Sequence, residues 1–485
     1  MDPILYRNGD DTVFLFDIPT SIAAAQGTKS CPARSVLLSR KPLTEPYGGA
    51  QLDNAGLQDN PNGFDEKLHQ IYEELSTAAL KDIEAHWTKP EWCLPRSLPQ
   101  LPEPTPTPSP EGPHKRKRSE STEPTNEDLR NEGYPVTSDV QLRDAATLMI
   151  RGTLLNNLVK DYPTSIACEQ RWNKRDQALS ADIEDDPKPK WKSDDHEFFY
   201  NTKSSPVAVI VSDIEFDNLY PFRIPPRASL LLSDCRQTDL LRSTVRRMAQ
   251  DYDHPRKFDL VIMDPPWPNA SAKHKKSYNT LSLKPLKSML LKMDLDTVIA
   301  TNGVVAVWIT NSEQVRKTVL SPGGLFARLG VVLVEEWVWI KTTASGAPQS
   351  PIASAWRKPY EILLVGRVPD WLQPGNQSWT GQEAVKRRVI AAVPDLHSRK
   401  PCVKSLMEEL VLKKGDGEYA GLELFGRYAV AGWFVWGNEA IKYNWEVYWK
   451  DQVEAAEQDA VQAEEKKTAL STQSPERKKR KLAMR

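Results

Sequence analysis

The chain has 485 residues, which suits two folded parts with linkers better than one compact domain, and its 39% hydrophobic content with 38 prolines implies that a good part of it is not packed. Lys and Arg number 64 against 65 Asp and Glu, a net charge of −1, so the whole molecule is no polycation and any nucleic-acid contact has to come from local basic patches. Five scattered cysteines without a CxxC pair indicate neither a disulfide framework nor a zinc ribbon, and no metal-ligand cluster is seen; with no signal-peptide pattern and no membrane-length apolar run, the expectation is a soluble intracellular protein.

In chain order, a strand is predicted over residues 12–16 (TVFLF), and an amphipathic helix over 64–87, with Leu68, Ile71, Tyr72, Leu75, Ala79 and Ile83 on one stripe. Residues 94–125 are rich in Pro, Ser and Thr and have too few large apolar side chains to offset the entropy of ordering, so they read as a disordered linker. That linker carries the basic cluster Lys115-Arg116-Lys117-Arg118, and a second cluster, Arg477-Lys478-Lys479-Arg480-Lys481, lies near the C-terminus. Two such clusters in exposed settings point to nuclear import. A helix is expected over 140–159 and a loop over 182–195.

After about residue 200 short apolar runs recur at 207–211, 229–232, 258–263, 304–309, 331–334, 338–340, 362–365 and 422–425, alternating with helical patterns such as 283–300, 312–320 and 403–412. Strands apolar on both faces, alternating with helices, predict a mostly parallel sheet covered on each side. Runs 331–334 and 338–340 read as two strands joined at Glu335-Glu336 and ending the sheet antiparallel; Trp308, Trp337 and Trp339 read as packing residues. A last, charged helix is expected over 445–467. The domain reading is an N-terminal accessory region, mixed or helical (1–93), a linker (94–135), a helical accessory segment (136–200), an α/β, Rossmann-like domain (201–445) and a C-terminal helix with a basic tail (446–485).

The strand FDLVIM runs directly into Asp264-Pro265-Pro266-Trp267. Ligands of open α/β sheets bind just beyond the carboxyl ends of the strands, so the motif lies where an active site is expected. An aromatic amine is a poor nucleophile because its lone pair is delocalised into the ring. Asp264 and the Pro265 carbonyl, accepting one N–H each, would hold the amine and stabilise the positive charge that grows during attack. Two prolines stiffen the loop, and Trp267 offers a flat face for stacking an extruded base.

The DPPW centre resembles that of the adenine-N6 methyltransferase family named after the seventy-kilodalton subunit of the mRNA adenosine methyltransferase. Supporting segments follow in order: GVVAVWITN (303–311), VEEWVWIKT (334–342), RKPYEILLVGR (357–367), HSRKP (397–401), LELFGR (422–427) and GWFVWGNEAIKYN (432–444). KPYE, the WGNE-x-IK-Y ending and IPPRASLLLSD (224–234) are most similar to the methyltransferase-like-four branch, associated with small nuclear RNA adenosines, including 2′-O-methylated ones, and with claims of DNA adenine methylation. The resemblance covers about half the chain and implies a Rossmann-like S-adenosylmethionine-dependent methyltransferase. It assigns Asp234 and Cys235 to the cofactor's adenine, Lys400 to its carboxylate, Arg427, Asn438 and Glu439 to the region around its ribose, with Asp264 beside the cofactor.

The basic loop after the motif, with Lys273, Lys275, Lys276 and Tyr278, is placed to hold backbone phosphates, with Arg357 and Lys358 on the opposite wall. Pro268 follows the tryptophan where the branch usually carries an acidic residue, so the substrate is less firmly fixed than the reaction. RNA is the favoured substrate of a self-sufficient, monomeric nuclear enzyme that needs no membrane. A DNA adenine-N6 methyltransferase, an enzyme acting on another amine such as cytosine N4 and a catalytically silent RNA-binding scaffold are the alternatives; the intact motif favours an active enzyme.

Overall fold

The computed structural model describes residues 2–47, 65–98, 160–161, 197–213, 218–268, 282–354, 358–369, 384–396, 399–415 and 417–451. Its strands are β1 (Ile4–Arg7), β2 (Val13–Phe16), β3 (Ser35–Leu37), β4 (Lys160–Asp161), β5 (Glu197–Tyr200), β6 (Val207–Asp213), β7 (Asn218–Ile224), β8 (Ser229–Leu232) and β9 (Phe258–Met263). They continue with β10 (Ile299–Ile309), β11 (Val332–Lys341), β12 (Tyr360–Arg367), β13 (Lys386–Ala392), β14 (Gly421–Leu424), β15 (Trp433–Trp436) and β16 (Trp449–Asp451). Eleven of these form one sheet in the order β1-β2-β13-β11-β12-β10-β9-β14-β15-β8-β5. Its centre, β10-β9-β14-β15-β8, is parallel throughout, and the sheet as a whole is the α/β, Rossmann-like architecture that the alternating runs predict. Both faces are packed: Leu260, Ile262, Trp308 and Val435 lie in the core on one side, and Val261, Met263, Val307 and Phe434 in the core on the other.

Several predicted elements take a different form. Glu335 and Glu336 are not a turn but the middle of one continuous strand, β11, which pairs antiparallel with β12 and parallel with β13. Glu336 is fully buried because Arg316 and Arg387 neutralise it, the latter at 2.8 Å, and Glu335 pairs with Arg388 at 2.7 Å. The charged helix expected from residue 445 does not begin there. Glu446–Tyr448 is a single 3-10 turn, and Trp449–Asp451 is β16, antiparallel to β3. The helical pattern over 283–300 stops at Leu291, since Asp294 takes a left-handed conformation (φ 50°) and Ile299 already starts β10.

The N-terminal residues are not a module beside the α/β domain. Apolar on both faces, β2 joins the large sheet next to β13, and β1 pairs with it at the sheet's edge. The helix over Glu66–His86 (α2, following α1 at Ile18–Ala24) begins at Asp65, whose carboxylate accepts the Leu68 N–H, as an N-cap does. It packs on β2, β11 and β13 through His69, Tyr72, Ser76, Ala79 and Ile83. The buried stripe is rotated from the expected one, so Ile71 is exposed while His69 is inside. At the start of the expected linker Arg96 is buried, 3.3 Å from Asp17, so the packed chain extends past residue 93. The rest of that linker, the helix expected over 140–159, the loop over 182–195 and both basic clusters lie outside the described residues. Among the described residues no helix is long and apolar enough to cross a membrane.

Candidate active site at the carboxyl ends of the parallel strands

Four adjacent parallel strands, β9, β14, β15 and β8, end at one edge, and their exits carry Asp264, Phe425–Arg427, Asn438–Glu439 and Asp234–Cys235 respectively. The sheet thus brings together residues up to 205 positions apart in sequence, from Asp234 to Glu439. Because side chains alternate along a strand, Asp264 lies on the same sheet face as Leu260 and Ile262. That face also carries Trp308 and Trp339.

At the centre is a row of alternating charges. Lys400 Nζ lies 3.1 Å from Asp264 Oδ2 and 2.9 Å from Glu361 Oε2, and Lys341 donates to the other Glu361 oxygen. Burial alone would raise the Glu361 pKa, but the two ammonium groups outweigh it and hold the carboxyl well below its usual range. Burial likewise disfavours the Lys400 ammonium, and the Asp264 and Glu361 carboxylates more than compensate, so Lys400 stays charged. The ammonium groups also sit near aromatic faces, Lys341 at 4.8 Å from the Trp339 centroid and Lys400 at 5.9 Å from that of Trp308. Glu423, in β14, is the remaining carboxyl, and burial together with the Asp264 charge pushes it up to about 8.

The segment that presents Lys400 is clamped from the N-terminal region. Arg399, fully buried, lies 2.7 Å from Asp395 and donates to the Leu38 carbonyl at 2.8 Å, while Ser39 donates to Asp395. Stacking of the Arg399 guanidinium over Tyr443 at 4.4 Å completes its surroundings.

The motif itself crosses from one face to the other. Asp264 opens into the cleft with about a third of its side chain exposed (34%), Pro265 is buried and Pro266 exposed. Trp267 is only 6% exposed and packs in the core on the opposite face, with its Nε1–H donating to the Trp308 carbonyl at 2.7 Å. Its placement therefore anchors the loop and presents no free face for stacking, contrary to expectation. The Pro265 carbonyl accepts the Trp267 N–H at 2.7 Å, which leaves one lone pair for a further donor.

The other expected cofactor residues gather at the same edge in mixed states. Cys235 is buried, 3.8 Å from the Trp436 carbonyl, with its thiol pushed far up by burial, so it serves as wall and not as nucleophile. Asp234 is partly exposed and pairs with Arg236 at 2.5 Å. Arg427 lies 3.1 Å from Glu439, and Asn438 is exposed at the rim. Lys358 is not on a nucleic-acid wall: it is buried and bound to Glu73 of α2 at 2.5 Å. Lys273, Lys275, Lys276, Tyr278 and Arg357 lie outside the described residues.

Sequence reasoning missed Lys341, Glu361 and Glu423. The signal was present as a lone carboxylate inside an otherwise apolar strand, in YEILLVG and in LELF, a pattern that needs either a partner or a function.

Residues 258–439 match the model of the MT-A70 family. The chain is 39% identical over 194 residues to an N6-methyladenosine RNA methyltransferase of Cryphonectria parasitica, covering 40% of this chain and 54% of that protein. It is 33% identical over 225 residues to the human N(6)-adenine-specific methyltransferase METTL4 (46% and 43% covered). To a DNA N6-methyl methyltransferase of Caenorhabditis elegans it is 26% identical over 208 residues (42% and 49%). The chain spans about half the length of the curated relatives it matches.

Proposed function

On the premise that residues 258–439 form an MT-A70 domain, we propose that this chain transfers a methyl group from S-adenosylmethionine to the N6 amine of adenine in nucleic acid. The observation that carries the reading is Asp264, held against Lys400 in a partly open cleft at the carboxyl end of a central parallel strand. RNA is the favoured substrate, since the relative with 39% identity is named an RNA methyltransferase; DNA is the second reading, supported by the relative from Caenorhabditis elegans.

The donor set suits S-adenosylmethionine. Lys400 supplies a cation for a carboxylate, Asp264 supplies an acceptor for an ammonium group, and Asn438, Glu439 and Arg427 supply polar groups for ribose hydroxyls. When bound, the cofactor supplies an electrophilic methyl group. Asp264 Oδ and the Pro265 carbonyl grip the two amine hydrogens and aim the nitrogen lone pair, and holding both reactants at attack distance supplies much of the rate. The Asp264 carboxylate faces the positive charge that develops on nitrogen and can take the proton that the methylated amine sheds. Lys400, shared with Glu361, fixes the direction of Asp264. Lys273, Lys275, Lys276, Tyr278 and Arg357 hold the phosphates of the substrate strand, the enzyme acts as a monomer, and the two basic clusters direct it to the nucleus.

The test is methyl transfer from labelled S-adenosylmethionine to total RNA, small nuclear RNA and genomic DNA, beside Asp264→Ala. Label in RNA adenines that vanishes in the variant is the expected result. Label in DNA alone overturns the RNA preference, and no transfer to any of them with nucleic-acid binding intact overturns the enzyme reading in favour of a scaffold.

A further inference from the structure

Glu423 is an ionisable group in the cleft to which the mechanism gives no step. It sits on β14 directly across from Ile262 of β9, two residues before Asp264, so both carboxylates leave the same face of the sheet. Strand spacing and rise put their Cα atoms roughly 8 Å apart. The side chain lies against the backbone of Gly426, where an added Cβ would be 3.2 Å from Glu423 Cδ, and Val435 closes that side. The titratable groups facing it are Asp264 from the end of β9, Cys402 from the segment after Lys400, and Tyr428 from the loop after β14. Among the described residues none of the groups acting on it is a cation.

Among the described residues the charged row beside Asp264 therefore holds three carboxylates, Asp264, Glu361 and Glu423, against two ammonium groups, Lys341 and Lys400. Both lysines are committed to Glu361, and Lys400 also to Asp264, so among the described residues Glu423 is the carboxyl of this row on which no cation acts. Fully ionised, the row is one negative charge in excess. S-adenosylmethionine carries a sulfonium, an ammonium and a carboxylate, a net +1; once demethylated, the product S-adenosylhomocysteine is net zero.

Resting on the function proposed above, we infer that Glu423 lets the cleft tell methyl donor from demethylated product by charge, releasing its proton when the sulfonium compound binds and keeping it when the product binds. With its carboxyl pushed up to about 8 by burial and by the Asp264 charge beside it, Glu423 carries its proton in most molecules of the empty cleft at pH 7. A positive ligand close by lowers the proton affinity; a neutral one does not. Donor binding is then linked to loss of up to about one proton, and below pH 8 the donor's dissociation constant falls by up to about tenfold per pH unit. Product binding stays flat on this account, so turnover itself loosens the bound molecule. Cys402, pushed up to about 11 by burial, and Tyr428, raised well above its ordinary value by burial, stay protonated throughout this window.

The experiment is isothermal titration calorimetry of the full chain with S-adenosylmethionine and with S-adenosylhomocysteine, from pH 6.5 to 8.5. Phosphate and Tris buffers, which differ in ionisation enthalpy, give the number of protons released. In the wild type the donor is expected to release about 0.5–1 proton more than the product at pH 7, a comparison that requires no variant to fold. The ligand's α-amino group titrates in the same window, but it contributes alike to wild type and to Glu423→Gln, so the difference between the two proteins isolates Glu423. In E423Q the excess proton release and the rise of donor preference with pH are expected to vanish, with product affinity kept within about twofold. Equal proton release for both ligands in the wild type, or an E423Q profile identical to the wild type, overturns this inference and leaves the proposed function standing. Failure of either ligand to bind the wild type at any pH overturns the proposed function and this inference with it.

Discussion

Replacing Trp267 by Phe separates two roles that the tetrapeptide alone cannot distinguish. Phe keeps an aromatic face, so a tryptophan that stacks a base would tolerate the change. In the structure, however, the indole Nε1–H donates to the Trp308 carbonyl at 2.7 Å and the ring is 6% exposed. Loss of that donor leaves a buried carbonyl short of a partner, which costs about 1–3 kcal/mol, and the smaller ring leaves a cavity worth on the order of 1 kcal/mol. Together these predict a destabilisation of about 2–4 kcal/mol, or a melting temperature roughly 5–15 °C lower for a domain of this size. The anchored indole also sets the path of the loop, so kcat is expected to fall more than the KM for nucleic acid changes. Thermal unfolding and methyl-transfer kinetics of W267F and W267A, measured side by side, check both. An unchanged melting temperature in W267F, with W267A raising only the nucleic-acid KM, would refute the anchoring argument and restore a stacking role.

Glu336→Ala removes a fully buried carboxylate that faces two arginines and is expected to cost about 3–5 kcal/mol, read as a lower urea midpoint; E336Q, which keeps the shape, should cost less. Lys358→Met breaks the buried contact with Glu73 and should lower stability by about 1–3 kcal/mol while leaving the nucleic-acid KM unchanged, as titration of binding would show. His69, buried and hydrogen-bonded to the Tyr360 hydroxyl at 2.7 Å, has its pKa lowered, first by burial and then by the Lys358 charge, and is neutral in the fold. A lowered histidine contributes stability that is complete above its unfolded pKa of about 6.5 and is lost as pH falls through the folded value. The drop in melting temperature between about pH 6.5 and 5 should therefore be shallower in His69→Gln.

The sequence alone settled the class of the sheet and the position of its reactive loop. Runs such as LVIM (260–263) and VVAVWI (304–309) are apolar at consecutive positions, which a strand covered on both faces buries, and a charged residue with two prolines straight after such a run lies at the strand's end. It also placed the ends of α2 within two residues, because the apolar period is clear. What it left to tertiary structure was pairing. Glu335-Glu336 looks like a turn until Arg316, Arg387 and Arg388, contributed by a helix and a neighbouring strand, neutralise it. Lys358 looks like a phosphate contact until α2, some 285 residues earlier in the chain, supplies Glu73. Local composition reports whether a side chain can be charged, but the cost of burying that charge depends on partners distant in sequence, and only the folded sheet brings them within reach. The same reason hid Lys341, Glu361 and Glu423, which join Asp264 and Lys400 in a row drawn from three strands and two connecting segments and acquire their shared chemistry only in the folded sheet.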